Sequence, residues 1–135
     1  MIQATSTDAL LGGRVILRQP EDGYRTAIDP VLLAAAVPVN AGMRVLDAGC
    51  GTGAASLCLA ARVAGADITG IDTEPEFISL ARDSAELNAF QPPPVFEVGD
   101  LQDYRTDAPF DIVMTNPPYR TKNSGHPPAY PLKRA

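Results

Sequence analysis

Four stretches of this chain end on a polar residue suited to grip a ligand: MRVLD on Asp47, ADITGID on Asp72, PVFEVGD on Asp100 and FDIVMTN on Asn116. Each alone is ordinary. Asp47 could be a plain turn residue, Asp72 could cap a helix with Thr73 as the competing cap, and Gly99-Asp100 is a common turn pair. Together they make a set of hydrogen-bond acceptors, three of them acidic. Asp47 also opens the string Asp47-Ala48-Gly49-Cys50-Gly51-Thr52-Gly53. Glycines there let the backbone turn tightly and come close to a ligand. Asn116 opens a second string, Asn116-Pro117-Pro118-Tyr119. Its prolines lack an N–H and fix φ, which forbids a helix, and the residue before each is pushed towards an extended conformation. The chemistry on offer is recognition and positioning, with an amide and an aromatic ring on a stiff loop. Metal chemistry finds no support: one His and two Cys outside any C-x-x-C pair supply no zinc spacing. His126 reads as a surface loop residue.

Such residues work together only if a sheet brings its strand ends to one rim. Residues 1–12 read as a loose lead-in. "GRVILRQ" (13–19) is β-rich, "PEDG" is a turn signal, and "GYRTAI" reads as a second short strand completing a hairpin. "DPVLLAAAV" (29–37) predicts a helix with Asp29 as N-cap and Pro30 in first position. Beyond it, strands ending at 47, 72, 100 and 116 alternate with helical patterns over 52–64 and 73–90. That alternation predicts an α/β fold, a Rossmann-like, doubly wound and mostly parallel sheet, preceded by an N-terminal hairpin and helix. In such sheets ligands bind outside the carboxyl ends of the strands, where all four polar residues fall.

The glycine string alone admits two cofactors. Gly49, Gly51 and Ala54 satisfy the relaxed dinucleotide pattern, and Asp72 follows at the distance of a ribose-binding acid, so a nicotinamide enzyme competes. Asp47 two residues before the first glycine and a third glycine at 53 favour another. This D-x-G-x-G-x-G pattern resembles motif I of the class I S-adenosylmethionine-dependent methyltransferases. The resemblance implies a cofactor site of Asp47, Gly49, Cys50, Gly51, Gly53, Asp72, Thr73, Asp100, Leu101 and Asn116. In it Asp47 helps hold the cofactor's ammonium, Asp72 accepts from the ribose hydroxyls, and Asp100 faces the adenine amine. A ligand with an ammonium and a sulfonium suits a rim of carboxylates.

Asn116-Pro117-Pro118-Tyr119 resembles motif IV of methyltransferases that modify a planar, conjugated amino nitrogen, either adenine's exocyclic amine or glutamine's side-chain amide. The lone pair of such a nitrogen is delocalised, so it is a poor nucleophile. The resemblance implies that the Asn116 side-chain oxygen and the Pro117 carbonyl accept its two hydrogens, that Pro118 stiffens the loop, and that Tyr119 stacks on the target plane. The run "RVILRQPEDGYRTAIDPVLLAAAVPV" further resembles the lead-in of the bacterial tRNA (valine) adenine-N6 methyltransferases. That family has a seven-stranded sheet, so the sequence predicts four core strands in order 3-2-1-4, truncated after the fourth, with an open edge that invites self-association.

Charge agrees with a polyanion contact at one place only. The whole chain carries −5, but 116–135 hold four basic and no acidic residues, leaving −9 on the other 115. The acidic balance argues against a generally nucleic-acid-coating surface. Arg120 and Lys122, beside the proline loop, are the substrate-side cations, unless this stretch is simply a solvated tail. The expected organisation is one domain, with lead-in 1–40, cofactor core 41–119 and basic tail 120–135. The expected partner is RNA, tRNA first, and the expected setting is cytoplasmic, with reduced cysteines, no signal peptide and no membrane span. A glutamine methyltransferase acting on a release factor and a non-catalytic cofactor-binding fragment remain as alternatives.

Overall fold

A computed structural model describes residues 4–21 and 28–117. Its centre is a parallel four-stranded sheet in the order β5-β4-β3-β6. The strands are β3 (Arg44–Ala48), β4 (Asp67–Asp72), β5 (Val95–Val98) and β6 (Ile112–Thr115). This is the expected 3-2-1-4 arrangement. Among the described residues β6 pairs with β3 alone.

Two helices connect the first three of these strands: α2 (Ala54–Arg62) joins β3 to β4, and α3 (Pro75–Leu87) joins β4 to β5. The seven residues Ala54–Ala60 of α2 are all buried. Such a helix must be covered on several sides. The sheet lies on one side, and α1 (Asp29–Ala36) and strand β2 (Val15–Pro20) pack against others. The core these elements share includes Val15, Leu17, Val45, Leu57, Leu59, Ile68, Ile78 and Phe96. Arg62 ties α1 to α2, its guanidinium donating to the carbonyls of Ala34 and Val37 near the end of α1.

The hairpin is real, but its partner strand lies upstream of the expected one. β1 (Thr5–Leu10) pairs antiparallel with β2 (Val15–Pro20), from Thr5 opposite Pro20 to Leu10 opposite Val15. The supposedly loose lead-in is therefore a strand. Thr5 and Thr7 favour extended backbone, and no side chain of the strand is fully buried, so the stretch carries no apolar run. The expected second strand, 23–28, lies almost wholly outside the described residues. The hairpin docks through side chains that complete its backbone bonding. Asn88 bonds both the N–H and the carbonyl of Ile16, and the Arg18 N–H donates to Ser84 Oγ at 2.7 Å.

Two capping expectations need correction. Asp29 is the first residue of α1, not its cap; Ile28 takes that place without a side-chain bond. Thr73 is exposed and does not cap α3, whose cap position is Glu74. The Glu74 N–H is met instead by Asp72 Oδ1 at 2.9 Å.

The stretch between β5 and β6 forms no helix and is held by Arg44 at the start of β3. Its guanidinium donates to the carbonyls of Ala108 and Pro109 and lies 4.6 Å over the Phe110 ring. The Arg44 N–H reaches Asp111 Oδ2 at 2.8 Å, which delivers the chain into β6 beside β3. No helix among the described residues is long and apolar enough to cross a membrane.

Candidate functional site

The parallel register brings the predicted residues to one end of the sheet. Asp47 stands opposite Gly70 on β4 and Met114 on β6, and Ala48 stands opposite Thr115. Asp72 pairs with Val98 at the end of β5, two residues before Asp100. Asn116 directly follows β6. Thr115 Oγ1 donates to the Ala48 carbonyl at 2.9 Å, stitching the end of β6 to the end of β3 just where the two motifs begin.

The glycine turn is anchored from below by β4 and from the side by Asp72. The N–H groups of Gly49 and Cys50 both donate to the Ile71 carbonyl, at 2.8 and 2.9 Å. The Gly51 N–H donates to Asp72 Oδ2 at 2.9 Å. Two of the glycines have opposite jobs. At Gly49, with φ +72°, a Cβ would meet nothing within 4 Å, so this peptide faces open space and can be approached closely. At Gly53, with φ +89°, a Cβ would sit 2.8 Å from the Phe96 ring, so this glycine lets Phe96 pack beneath the turn. Gly53 shapes the turn from inside.

The acids differ in environment. Asp47 is 2% exposed, and Ser56 Oγ donates to its Oδ2 at 2.6 Å. Burial pushes its carboxyl from the ordinary 3.8 up to about 6, the bonds from Ser56 hold it down, and the charge of Asp72 adds to the rise. Asp72 is half-buried and divides its carboxylate between the glycine turn and the start of α3. Asp100 is exposed, and its Oδ1 accepts the Gln102 N–H at 2.9 Å within its own turn. Leu101 beside it is 51% exposed, an apolar surface at the rim. Cys50 is buried, and the loss of solvent raises its thiol far enough to keep it neutral.

Asp47, Gly49, Cys50 and Asn116 line one narrow cleft, together with Pro30, Thr52, Ala54 and Ala55. Its volume is about 10 Å³, which matches the room one water molecule needs. Pro30 brings the start of α1 into this site, a contact the sequence reading did not include. Ser56 and Thr115 were also missed. A serine inside the apolar run AASLCLAA was the available signal for the first. Pro118, Tyr119, Arg120 and Lys122 lie outside the described residues, so of the proline loop the structure places Asn116 and Pro117.

A family model described as a methyltransferase domain matches residues 39–131. The chain belongs to the methyltransferase domain family. The match spans both motifs and every rim residue named above. Over 98 residues this chain is 34% identical to the tRNA1(Val) (adenine(37)-N6)-methyltransferase of Yersinia pestis, covering 70% of this chain and 40% of that protein. Over 76 residues it is 42% identical to the release factor glutamine methyltransferase of Deinococcus radiodurans, covering 56% of this chain and 26% of that one. A solved SAM-dependent methyltransferase from Thiobacillus denitrificans, in complex with S-adenosyl-L-homocysteine, superposes with a TM-score of 0.57 at 32% identity, covering 67% of this chain and 36% of that one. The chain thus spans less than half the length of these relatives.

Proposed function

We propose that this chain binds S-adenosylmethionine and forms the cofactor-gripping and amine-positioning part of an enzyme that methylates the exocyclic amine of adenine in RNA. The observation that carries this reading is the shared cleft: Asn116 lines it together with Asp47 and Gly49, so the amide stands beside the acid and the open glycine peptide. The residues fit the cofactor. The open side of Gly49 gives it access, Asp47 offers charge to its ammonium, Asp72 offers acceptors to its ribose, and Leu101 offers an apolar surface to its adenine.

When bound, S-adenosylmethionine supplies an electrophilic methyl group on a sulfonium. Asn116 and Pro117 do the rest. Their oxygens accept the two N–H groups of the target and turn its lone pair towards the methyl carbon. That methyl carbon would pass to the target nitrogen, the electron pair of its bond to sulfur staying on sulfur. The nitrogen's surplus proton leaves to water. Acceptors aimed at the amine stabilise the positive charge that grows there.

Charge bears on the substrate. All six described arginines, 14, 18, 44, 62, 82 and 105, donate to the chain's own oxygens. The chain's other cations, Arg25, Arg120, Lys122, Lys133 and Arg134, lie outside the described residues. Four of these follow the proline loop within fifteen residues of Tyr119, and Arg25 lies in the lead-in. The longer of the two alignments, to the Yersinia pestis protein, agrees with adenine. The higher identity to the Deinococcus radiodurans protein keeps glutamine as the second reading.

Incubation of the full-length protein with labelled cofactor and either bulk tRNA or release factor tests this. Label is expected in tRNA, falling by orders of magnitude with Asn116→Ala. Label in release factor alone would overturn the substrate assignment and leave the cofactor assignment standing.

A further inference from the structure

We propose that Ser56 is a positioning residue that keeps Asp47 ionised and aimed for the cofactor's ammonium. This rests on the reading of the rim as an S-adenosylmethionine site.

Ser56 is the third residue of α2 and is 0% exposed. The first N–H groups of a helix lack intrahelical partners. Both the hydroxyl and the backbone N–H of Ser56 are directed to Asp47, so the acid on β3 satisfies the first turn of α2 from across the layer. The 2.6 Å separation of Ser56 Oγ from Asp47 Oδ2 is that of a bond to an ionised acceptor. A buried hydroxyl needs a partner, and the carboxylate is the one this serine has.

The surroundings give Asp47 little other help. Asp72 on β4 is the charged group acting on it, and its sign is unfavourable. The Cys50 thiol in the turn is neutral. β6 presents Met114 opposite, and α1 presents Pro30. No cation among the described residues is bonded to Asp47. A bare acid buried this deeply would hold its proton at neutral pH and would offer the cofactor no charge.

A hydrogen bond to a charged group is worth about 1.5–3 kcal/mol, or roughly one to two pH units of ionisation. With Asp47 titrating near 6 in the wild type, its loss moves the midpoint to about 7–8. At pH 7 the ionised fraction then falls by about two- to tenfold.

The test is calorimetric titration with S-adenosylhomocysteine from pH 5 to 9 on wild type, Ser56→Ala and Ser56→Thr. Ratios of variant to wild type cancel the ligand's own amine titration. Ser56→Ala is expected to lose about two- to tenfold in affinity at pH 7 and to recover by pH 9. Ser56→Thr, which keeps the hydroxyl, should follow the wild type. A loss in Ser56→Ala that is equal at every pH, or absent, overturns the proposal. If Ser56→Ala does not fold, Ser56→Cys is read in the same way. Carbon-detected NMR of the Asp47 carboxyl in the ligand-free chain separates the two layers of inference: a midpoint near 6 that rises without the hydroxyl supports the positioning role whether or not the cofactor assignment holds, and an unchanged midpoint overturns it.

Discussion

Asp47 and Asp72 are the same residue type on neighbouring parallel strands, and they act on the fold in opposite directions. Asp47 sits two residues deeper, opposite Gly70, and turns its carboxylate towards α2. Burial there lifts its midpoint from 3.8 to about 6. The folded chain therefore favours the proton more than the unfolded chain does. Asp47's own contribution to stability is greatest below about pH 3.8, falls as pH rises to about 6, and above that is lower by about 3 kcal/mol. Asp72, half out in solvent, accepts the N–H groups of Gly51 and Glu74 and so joins the glycine turn to the start of α3. One carboxylate weakens the fold by holding a charge in the buried end of the rim, where the proposed site would use it. The other supports the fold with the same atoms that reach the rim. The difference teaches that an acid at a strand end is functional or structural according to depth, and that the costly one is the better pointer to function.

The largest expected effect is at Asp47. Asp47→Asn keeps an acceptor for Ser56 and removes the buried charge. Denaturant unfolding at pH 7 should show the variant up to about 3 kcal/mol more stable, with the gain vanishing below about pH 4, while S-adenosylmethionine affinity falls. A variant less stable than wild type at pH 7 would break the contrast. At Asp72 the expectation reverses: Asp72→Ala strips acceptors from two N–H groups, costs about 1–3 kcal/mol on unfolding, and weakens the cofactor as well. A thermal melt unchanged by Asp72→Ala would deny its structural half. Asp100 marks the shallow end of the series. Asp100→Ala removes an exposed bond within its own turn, so stability should move by about 0.5 kcal/mol or less and cofactor affinity by less than at Asp72. An affinity loss equal to that at Asp72 would show that exposure does not order the three acids.

Depth is also what the sequence could not express. The alternation of strands and helices and the rim placement of Asp47, Asp72, Asp100 and Asn116 were legible, because hydrophobic period and turn residues fix them locally, while the 3-2-1-4 order came with the family resemblance. Which glycine faces open space was not. Gly49 and Gly53 look alike in the string, and only the distant Phe96 separates them. The first strand was missed because Thr5–Leu10 pairs at a surface and carries no apolar run. The caps were misassigned because Asp72, nominated for the ligand, also receives the Glu74 N–H. Ser56 escaped because one serine among apolar helix residues acquires meaning only when β3 is laid against α2.

The most direct single measurement is a calorimetric competition between S-adenosylmethionine and NAD for the wild-type chain at pH 7. The glycine string satisfies both fingerprints, but the carboxylate rim suits a cationic ligand and repels a pyrophosphate. S-adenosylmethionine should bind and NAD should fail to displace it. Tighter binding of NAD would contradict the assignment of the rim and of every acid on it.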